Sequence, residues 1–247
     1  MIQDLHSHTY YSFCGKDSSE VIVEAAIAGG IELFGICDHN SGVGFCRKDA
    51  MKNDGIPLEY YDVCIQRYRD HIELIKEKYS DRIKILCGIE VTADLDHPRR
   101  VLPDSTDISF FDYCMIENPD RENSLINKDL FTFAERCGCP ATGVAHTDMF
   151  AFIGSIGEDP YKYFKRMAEQ NIFWEMNVNY DSIHKYRQHD YVRRFFDDKE
   201  QQAIVRESGV RLSVGFDGHK VEDYLPQRVV DSCRRVTELG IKLAFEE

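Results

Sequence analysis

The 247-residue chain contains no apolar run of the roughly 18 residues needed for a helix to span a bilayer, so no membrane class is suggested. The basic-then-apolar pattern of a secretory signal is missing too, because Asp4, His6 and His8 interrupt the only early stretch that could form one. Among nine cysteines there is no Cys-x-x-Cys pair, which argues against a structural zinc knuckle. The cysteine count is odd, and Cys37, Cys87 and Cys114 lie in apolar, strand-like runs where a thiol packs as a small hydrophobe. Cys137-Gly-Cys139 reads as the end of a helix. These absences together describe a cytoplasmic protein. Positive charge is also short: 30 Lys and Arg against 43 Asp and Glu leave a net charge of -13, which disfavours a general nucleic-acid binder. Bound cations can offset part of that charge locally. No internal repeat, low-complexity tract or Pro/Gly linker divides the chain, so residues 1–247 read as one domain.

What is present is an alternation. Short apolar runs at 2–8, 31–37, 82–91, 111–116, 141–146, 172–178 and 210–216 predict seven strands, with helical patterns between them, the signature of a parallel α/β fold. The clearest helix carries Leu58, Tyr61, Ile65, Tyr68, Ile72, Ile75 and Tyr79 at spacings of three and four, with a charged opposite face. Further helices are expected at 19–28, 124–137, 160–170, 190–207 and 222–239, with glycine stops at Gly29, Gly138, Gly209 and Gly240. Residues 40–57 and 92–110 read as long loops of the kind that wall an active site.

The histidines and carboxylates fall where strands end. His6 and His8 lie two apart on the first strand and so point to one side. Asp38 and His39 follow the second strand, Glu90 lies on the third, His146 ends the fifth, and Asp217-Gly-His219 ends the seventh. In a parallel barrel the C-terminal rim is where side chains of different strands converge. Imidazole nitrogen with carboxylate oxygen suits zinc, manganese or iron(II), and a carboxylate can bridge two cations. Each piece alone has a bland reading: a core pair for His-x-His, a cap for Asp38-His39, a solvated strand end for Glu90. Five ligand-bearing strand ends in the order HxH, DH, E, H, DxH do not. His71, His97, His184 and His189 lie on the long helix or in loops, where exposure is expected.

Taken as a set, DLHSHT, GICDHN, GIEV, GVAHTD and GFDGH resemble the PHP (polymerase and histidinol phosphatase) family of phosphoesterases, in its histidinol phosphatase branch, over nearly the whole chain. The resemblance implies a distorted seven-stranded, TIM-like (β/α)7 barrel with two or three divalent metal ions (zinc, manganese or iron). It further implies hydrolysis of a phosphate ester, histidinol phosphate being one such substrate, by a metal-bound hydroxide. By the resemblance, His6, His8, Glu90 and Asp217 hold one metal, Glu90 bridges to a second shared with His146, and His39 and His219 hold a third. Asp38 either protonates the leaving alcohol or orients a ligating histidine, and the second role is favoured here.

The chain departs from the family pattern twice. A histidine usual after HxH is replaced in SFCGKD, where Lys16 has no lone pair for a metal. The fourth strand ends DYCMIENPD without its usual histidine, so either Glu117 or Asn118 substitutes as an oxygen ligand or that metal loses one. For the phosphate, Lys16 and Arg187 are favoured among the loop cations Arg47, Arg99, Arg100, Lys185 and Lys220. Glu175, Asn177 and Asn179 alternate on one face of the sixth strand, either lining the pocket or forming a buried hydrogen-bonded set. Three alternatives stay open: an amidohydrolase, whose barrels also begin His-x-His but want a bridging lysine that the fourth strand lacks, a nuclease acting on nucleic-acid ends, and a degenerate metal-binding module without turnover.

Overall fold

The computed structural model describes residues 1–43, 60–96, 101–124 and 129–246. Seven strands run in sequence order, each parallel to the next: β1 Gln3–Asp4, β2 Leu33–His39, β3 Lys84–Thr92, β4 Tyr113–Glu117, β5 Thr142–Val144, β6 Ile172–Asn177 and β7 Leu212–Gly215. The first and last strands meet: the Leu5 N–H donates to the Val214 carbonyl at 2.9 Å, the Asp217 N–H donates to the His6 carbonyl at 2.8 Å, and Ser7 bridges Gly218. The result is a nearly closed (β/α)7 barrel, the architecture the alternation and the family resemblance called for. No described helix is long and apolar enough to cross a membrane.

The described helices are α1 Ser19–Ala28, α2 Tyr61–Lys78, α3 Leu130–Cys137, α4 Met149–Ser155, α5 Pro160–Glu169, α6 Asp190–Asp197, α7 Lys199–Ser208 and α8 Pro226–Glu238. On α2 the residues at three-and-four spacing, Tyr61, Ile65, Tyr68, Ile72 and Ile75, are buried, with Cys64 beside them; Leu58 lies outside the described residues. The single helix expected over 190–207 is two. Asp198 stops the first and caps the second, its carboxylate accepting from the Glu200 and Gln201 N–H groups at 2.9 and 3.1 Å. The helix expected from 124 starts at Leu130, where the Asp129 carboxylate accepts from the Thr132 N–H. Helix α4, capped by Asp148, was not anticipated. The segment from 222 opens with a 3-10 turn at Val221–Asp223 before α8. Gly138, Gly209 and Gly240 take the left-handed conformation expected of helix stops, whereas after α1 that residue is Gly30 rather than Gly29. Much of the expected loop 40–57, and residues 97–100 of the loop 92–110, lie outside the described residues.

The barrel has an apolar floor. Leu5, Leu33, Leu86, Tyr113, Met115 and Phe173 form a buried cluster inside it, separate from the larger core between strands and helices. Tyr113 spans the interior and donates to the Leu5 carbonyl at 2.6 Å. Its ring fits because β3 offers Gly88 beside it: a Cβ there would stand 2.4 Å from Tyr113 Cζ. Every described cysteine is free, and Cys37, Cys64, Cys87, Cys114, Cys137 and Cys233 are buried among apolar neighbours.

Candidate metal centre

Strand register builds the mouth above that floor. The parallel ladder places His39 opposite Glu90 and Thr92 opposite Glu117, so both glutamates rise on the inward face. The first strand behaves differently from the expected run over 2–8. Its ladder ends at Asp4, whose carboxylate accepts from the His6 and Phe216 N–H groups at 3.3 and 2.9 Å. His6 and His8 still face the same space, with ring centroids 5.0 Å apart. His146 and Asp217 leave their strands with left-handed backbones, φ 28° and 55°, and Asn118 does the same after β4 at 59°. Such conformations cost a non-glycine residue about 1–3 kcal/mol and tend to gather at functional sites.

All eight expected ligands, His6, His8, His39, Glu90, Glu117, His146, Asp217 and His219, come together. Glu90 is the hub: its Oε1 stands 3.3 Å from both His6 Nε2 and His146 Nε2, and its Oε2 stands 3.5 Å from His8 Nε2 and 2.8 Å from His39 Nδ1. Asp217 Oδ1 lies 3.1 Å from His8 Nε2 and 3.7 Å from the Nε2 atoms of His6 and His219. Glu117 reaches 3.7 Å from His39 Nδ1 and 3.9 Å from His146 Nε2. A cavity of about 380 Å³ opens over this cluster.

The donor set fits divalent cations. His6 Nε2 and Glu90 Oε2 are buried and make no hydrogen bond, despite the short distances around them. An unsatisfied buried polar atom costs about 1–3 kcal/mol, and a cation between such atoms would remove that cost. The sets His6, His8, Glu90; His8, Asp217, His219; and His39, Glu90, Glu117 each bring three ligand atoms within 4.8 Å of one another. Electrostatics agree with crowding rather than simple pairing. Burial and the neighbouring His39 charge push His8 down to about 3. Burial also pushes His146 and His219 down, but the carboxylates of Glu90 and Asp217 respectively outweigh it and raise them to about 9 and about 10. Burial pushes the Glu90 and Asp217 carboxyls up, and the surrounding imidazoles pull both well below the usual range.

A ring of buried groups holds the ligands. Glu175 Oε1 pairs with His6 Nδ1 at 2.8 Å, and Oε2 accepts from the His146 N–H at 2.7 Å. Gly215 leaves it room, since a Cβ there would meet Glu175 Oε1 at 2.1 Å. Glu175, Asn177 and Asn179 are therefore the buried, bonded set, and the two asparagines reach Asp217 Oδ2 at 3.4 Å. Asp38 does not line the cavity. It accepts from the Thr9 N–H and hydroxyl and from the Ser12 hydroxyl at 2.6–2.7 Å, and Ser12 Oγ in turn lies 3.2 Å from His8 Nδ1. Asp38 thus touches His8 only through Ser12, on the Nδ1 side of the ring, while His8 Nε2 faces Glu90 and Asp217.

Several site residues were not foreseen. His184, expected to be exposed, is half-buried: its Nδ1 is 2.7 Å from Asp181 Oδ1, and its Nε2 faces the cavity 3.7 Å from Asp217 Oδ2. The Asp-x-x-His spacing in DSIH was the signal available. His71 pairs with Tyr11 Oη at 2.8 Å and His189 stacks near His146, so neither is exposed; His97 lies outside the described residues. Lys16 and Arg187 are not among the described residues lining the cavity, whereas Arg121 and Asn118, just past β4, are. Lys16 instead joins the rim through its backbone, its N–H donating to the His219 carbonyl. Cys14 from the same SFCGKD stretch does line the cavity.

A parallel barrel with imidazoles and carboxylates gathered at one mouth defines a metal-dependent hydrolase. A model of the PHP domain matches residues 4–220, and the chain belongs to that family of phosphoesterases. Among solved structures it is similar to histidinol phosphate phosphatase (HisK) from Lactococcus lactis, complexed with zinc, L-histidinol and phosphate. The two share 15% identity and a TM-score of 0.56 over 98% of this chain and 95% of that one. It is also similar to the putative histidinol phosphatase HisK from Listeria monocytogenes, at 16% identity and TM-score 0.42 over 98% and 93% of the two chains. An amidohydrolase follows at 13% identity and TM-score 0.42, covering 96% of this chain and 69% of that one. At such identities the likeness is one of fold. No curated protein matches this chain in sequence.

Proposed function

We propose that the whole chain acts as one PHP domain that hydrolyses a small-molecule phosphomonoester, with histidinol phosphate as a first substrate to try. The observation that carries this is the placement of Glu90, each of whose oxygens faces two imidazoles, the arrangement of a carboxylate shared between cations. In this reading His6, His8, Glu90 and Asp217 hold one ion, Glu90, Glu117 and His146 a second, and His39 with His219 belongs to a third. Zinc, manganese and iron all suit such donors. When bound, these ions supply charge neutralisation at the phosphate oxygens and Lewis acidity. A cavity of about 380 Å³ is the size of a small-ligand site.

The remaining steps fall to the protein. Arg121 at the cavity wall supplies a guanidinium for the phosphate oxygens. Asp181 holds His184 Nδ1, which fixes the ring so that Nε2 can pass a proton to the departing alkoxide. Glu175 and the Asp38–Ser12 pair keep His6 and His8 in register. The amidohydrolase reading is weakened because no lysine is among the described cavity residues and a glutamate occupies the hub. The nuclease reading suffers from the net charge of -13.

The test is phosphate release from a panel of phosphomonoesters, including histidinol phosphate and an aryl phosphate, before and after chelation. Release that stops on chelation and returns with zinc or manganese is expected. Metal-reconstituted protein that releases no phosphate from any member would refute the proposal.

A further inference from the structure

The loops that leave β6 and β7 meet over one carboxylate. Asp181 is 1% exposed and is not among the described residues lining the cavity, so it touches no substrate there. Its Oδ1 accepts from the His184 backbone N–H and pairs with His184 Nδ1, both at 2.7 Å. Its Oδ2 faces His219 Nδ1 at 3.3 Å, and both of these atoms are buried without a hydrogen bond. An unpaired buried polar group costs about 1–3 kcal/mol, so a contact that closes between them serves both. The far nitrogens point the other way. His184 Nε2 stands 3.7 Å from Asp217 Oδ2, and His219 Nε2 stands 3.7 Å from Asp217 Oδ1. Two imidazoles thus hang between the same two aspartates, outer nitrogens on Asp181 and inner nitrogens at the mouth. Which nitrogen of an imidazole is open to a metal or gives up a proton is set by what the other one holds.

The backbone fixes this carboxylate. The Tyr186 N–H donates to the Asp181 carbonyl at 2.7 Å, closing a turn in which Lys185 and Tyr186 hold left-handed backbones, φ 56° and 53°. Each such residue costs about 1–3 kcal/mol and persists only where its surroundings over-determine it. Here they do: the Ser182 N–H and hydroxyl both donate to Asp223 Oδ2, at 3.1 and 2.5 Å, and Lys220 Nζ pairs with the same oxygen at 3.2 Å. The turn that carries Asp181 is thereby tied to the segment that follows His219.

We propose that Asp181 is a positioning residue for two rings at once: it holds Nδ1 of His219, which turns Nε2 to the third cation, as it holds Nδ1 of His184, which turns Nε2 to the leaving group. The inference rests on the metal-dependent reading above and adds that one carboxylate sets both the ion on His219 and the proton donor. The proton passes from His184 Nε2 to the alkoxide oxygen as the phosphorus–oxygen bond breaks, and the Nδ1 proton stays shared with Asp181 Oδ1.

The experiment is a double-mutant cycle on the full chain, read by chelator competition for zinc and by kcat on an alkyl and an aryl phosphate. Asp181→Asn keeps the shape and removes the charge. It should weaken one zinc ion per chain by about 10–100-fold and lower kcat on the alkyl phosphate about tenfold more than on the aryl phosphate. In a His219→Gln background it should weaken zinc no further, and in a His184→Gln background it should leave the alkyl-to-aryl ratio where it is; a merely structural role would move both. Native zinc affinity in Asp181→Asn, or undiminished effects in either background, would overturn the inference. Should Asp181→Asn fail to fold, ring-nitrogen NMR of the native zinc-loaded chain decides, with signals assigned through His184→Gln and His219→Gln. A protonated Nδ1 and a metal-bound Nε2 on His219 are expected, and metal on Nδ1 would overturn the inference. Native protein that holds zinc but releases no phosphate would refute the phosphoesterase reading, while the zinc arm still decides whether Asp181 holds His219.

Discussion

The floor and the mouth of the barrel are built by the same strands only two to four residues apart, and they differ in almost every physical respect. β3 supplies Leu86 to the floor and Glu90 to the mouth; β4 supplies Tyr113 to one and Glu117 to the other. At the floor, side chains interlock over glycine and the one polar group, the Tyr113 hydroxyl, is satisfied. At the mouth, like charges crowd, buried atoms lack partners, and three residues hold left-handed backbones. The lesson is a division of labour: packing below over-determines positions above, so that groups can be held where they would not settle on their own.

The comparison breaks most visibly at the mouth. Asp217→Ala should lower phosphate release by about 10³-fold or more, several kcal/mol of lost transition-state stabilisation, with the thermal unfolding of the metal-free protein little changed. Activity within a few-fold of native would end the assignment of Asp217. The converse change belongs to the floor: Tyr113→Ala removes a filled ring and should cost about 3–5 kcal/mol of stability in chemical denaturation. A loss under about 1 kcal/mol would mean that the floor is not what positions the mouth.

Smaller changes sharpen the contrast within the mouth. His184→Gln should reduce kcat by about 10²-fold on an alkyl phosphate and much less on an aryl phosphate, whose leaving group needs no proton. Equal losses on both would assign His184 to binding instead. The remaining test is a pH dependence. His146 and His219 are raised to about 9 and about 10, so in the metal-free protein they keep their protons well above the ordinary 6.5. A cation must displace those protons, so chelator competition should show zinc affinity still rising from pH 6.5 to about 9, by up to about tenfold per unit for each proton displaced. An affinity already level by neutral pH would contradict the raised values.

The parts legible in sequence were those fixed by period and by strand ends. Alternating strands and helices announce the barrel, and residues at successive strand ends must share a rim, which is why HxH, DH, Glu90, His146 and DxH could be gathered without coordinates. The parts hidden were those placed by loops. Cys14 enters by a reversal against Thr9, His184 by a turn fastened to Asp181, and Arg121 by the bend at Asn118, none of which has a periodicity. Asp198, a cap in the middle of an amphipathic pattern, split an expected helix for a similarly local reason. Glu175 shares one strand face with Asn177 and Asn179 in the sequence pattern, but only the structure shows its approach to His6 over Gly215.

The seam that closes the barrel joins residues 5–7 to residues 214–218. During synthesis at about 5–20 residues per second, the imidazoles of His6 and His8 therefore leave the ribosome roughly 10–40 seconds before Asp217 exists to meet them. A nascent chain that has not reached Asp217 has only half a claw, and tight capture of an ion there would await synthesis of that residue. A truncated product ending short of that seam would carry the histidines without the means to retain what they bind.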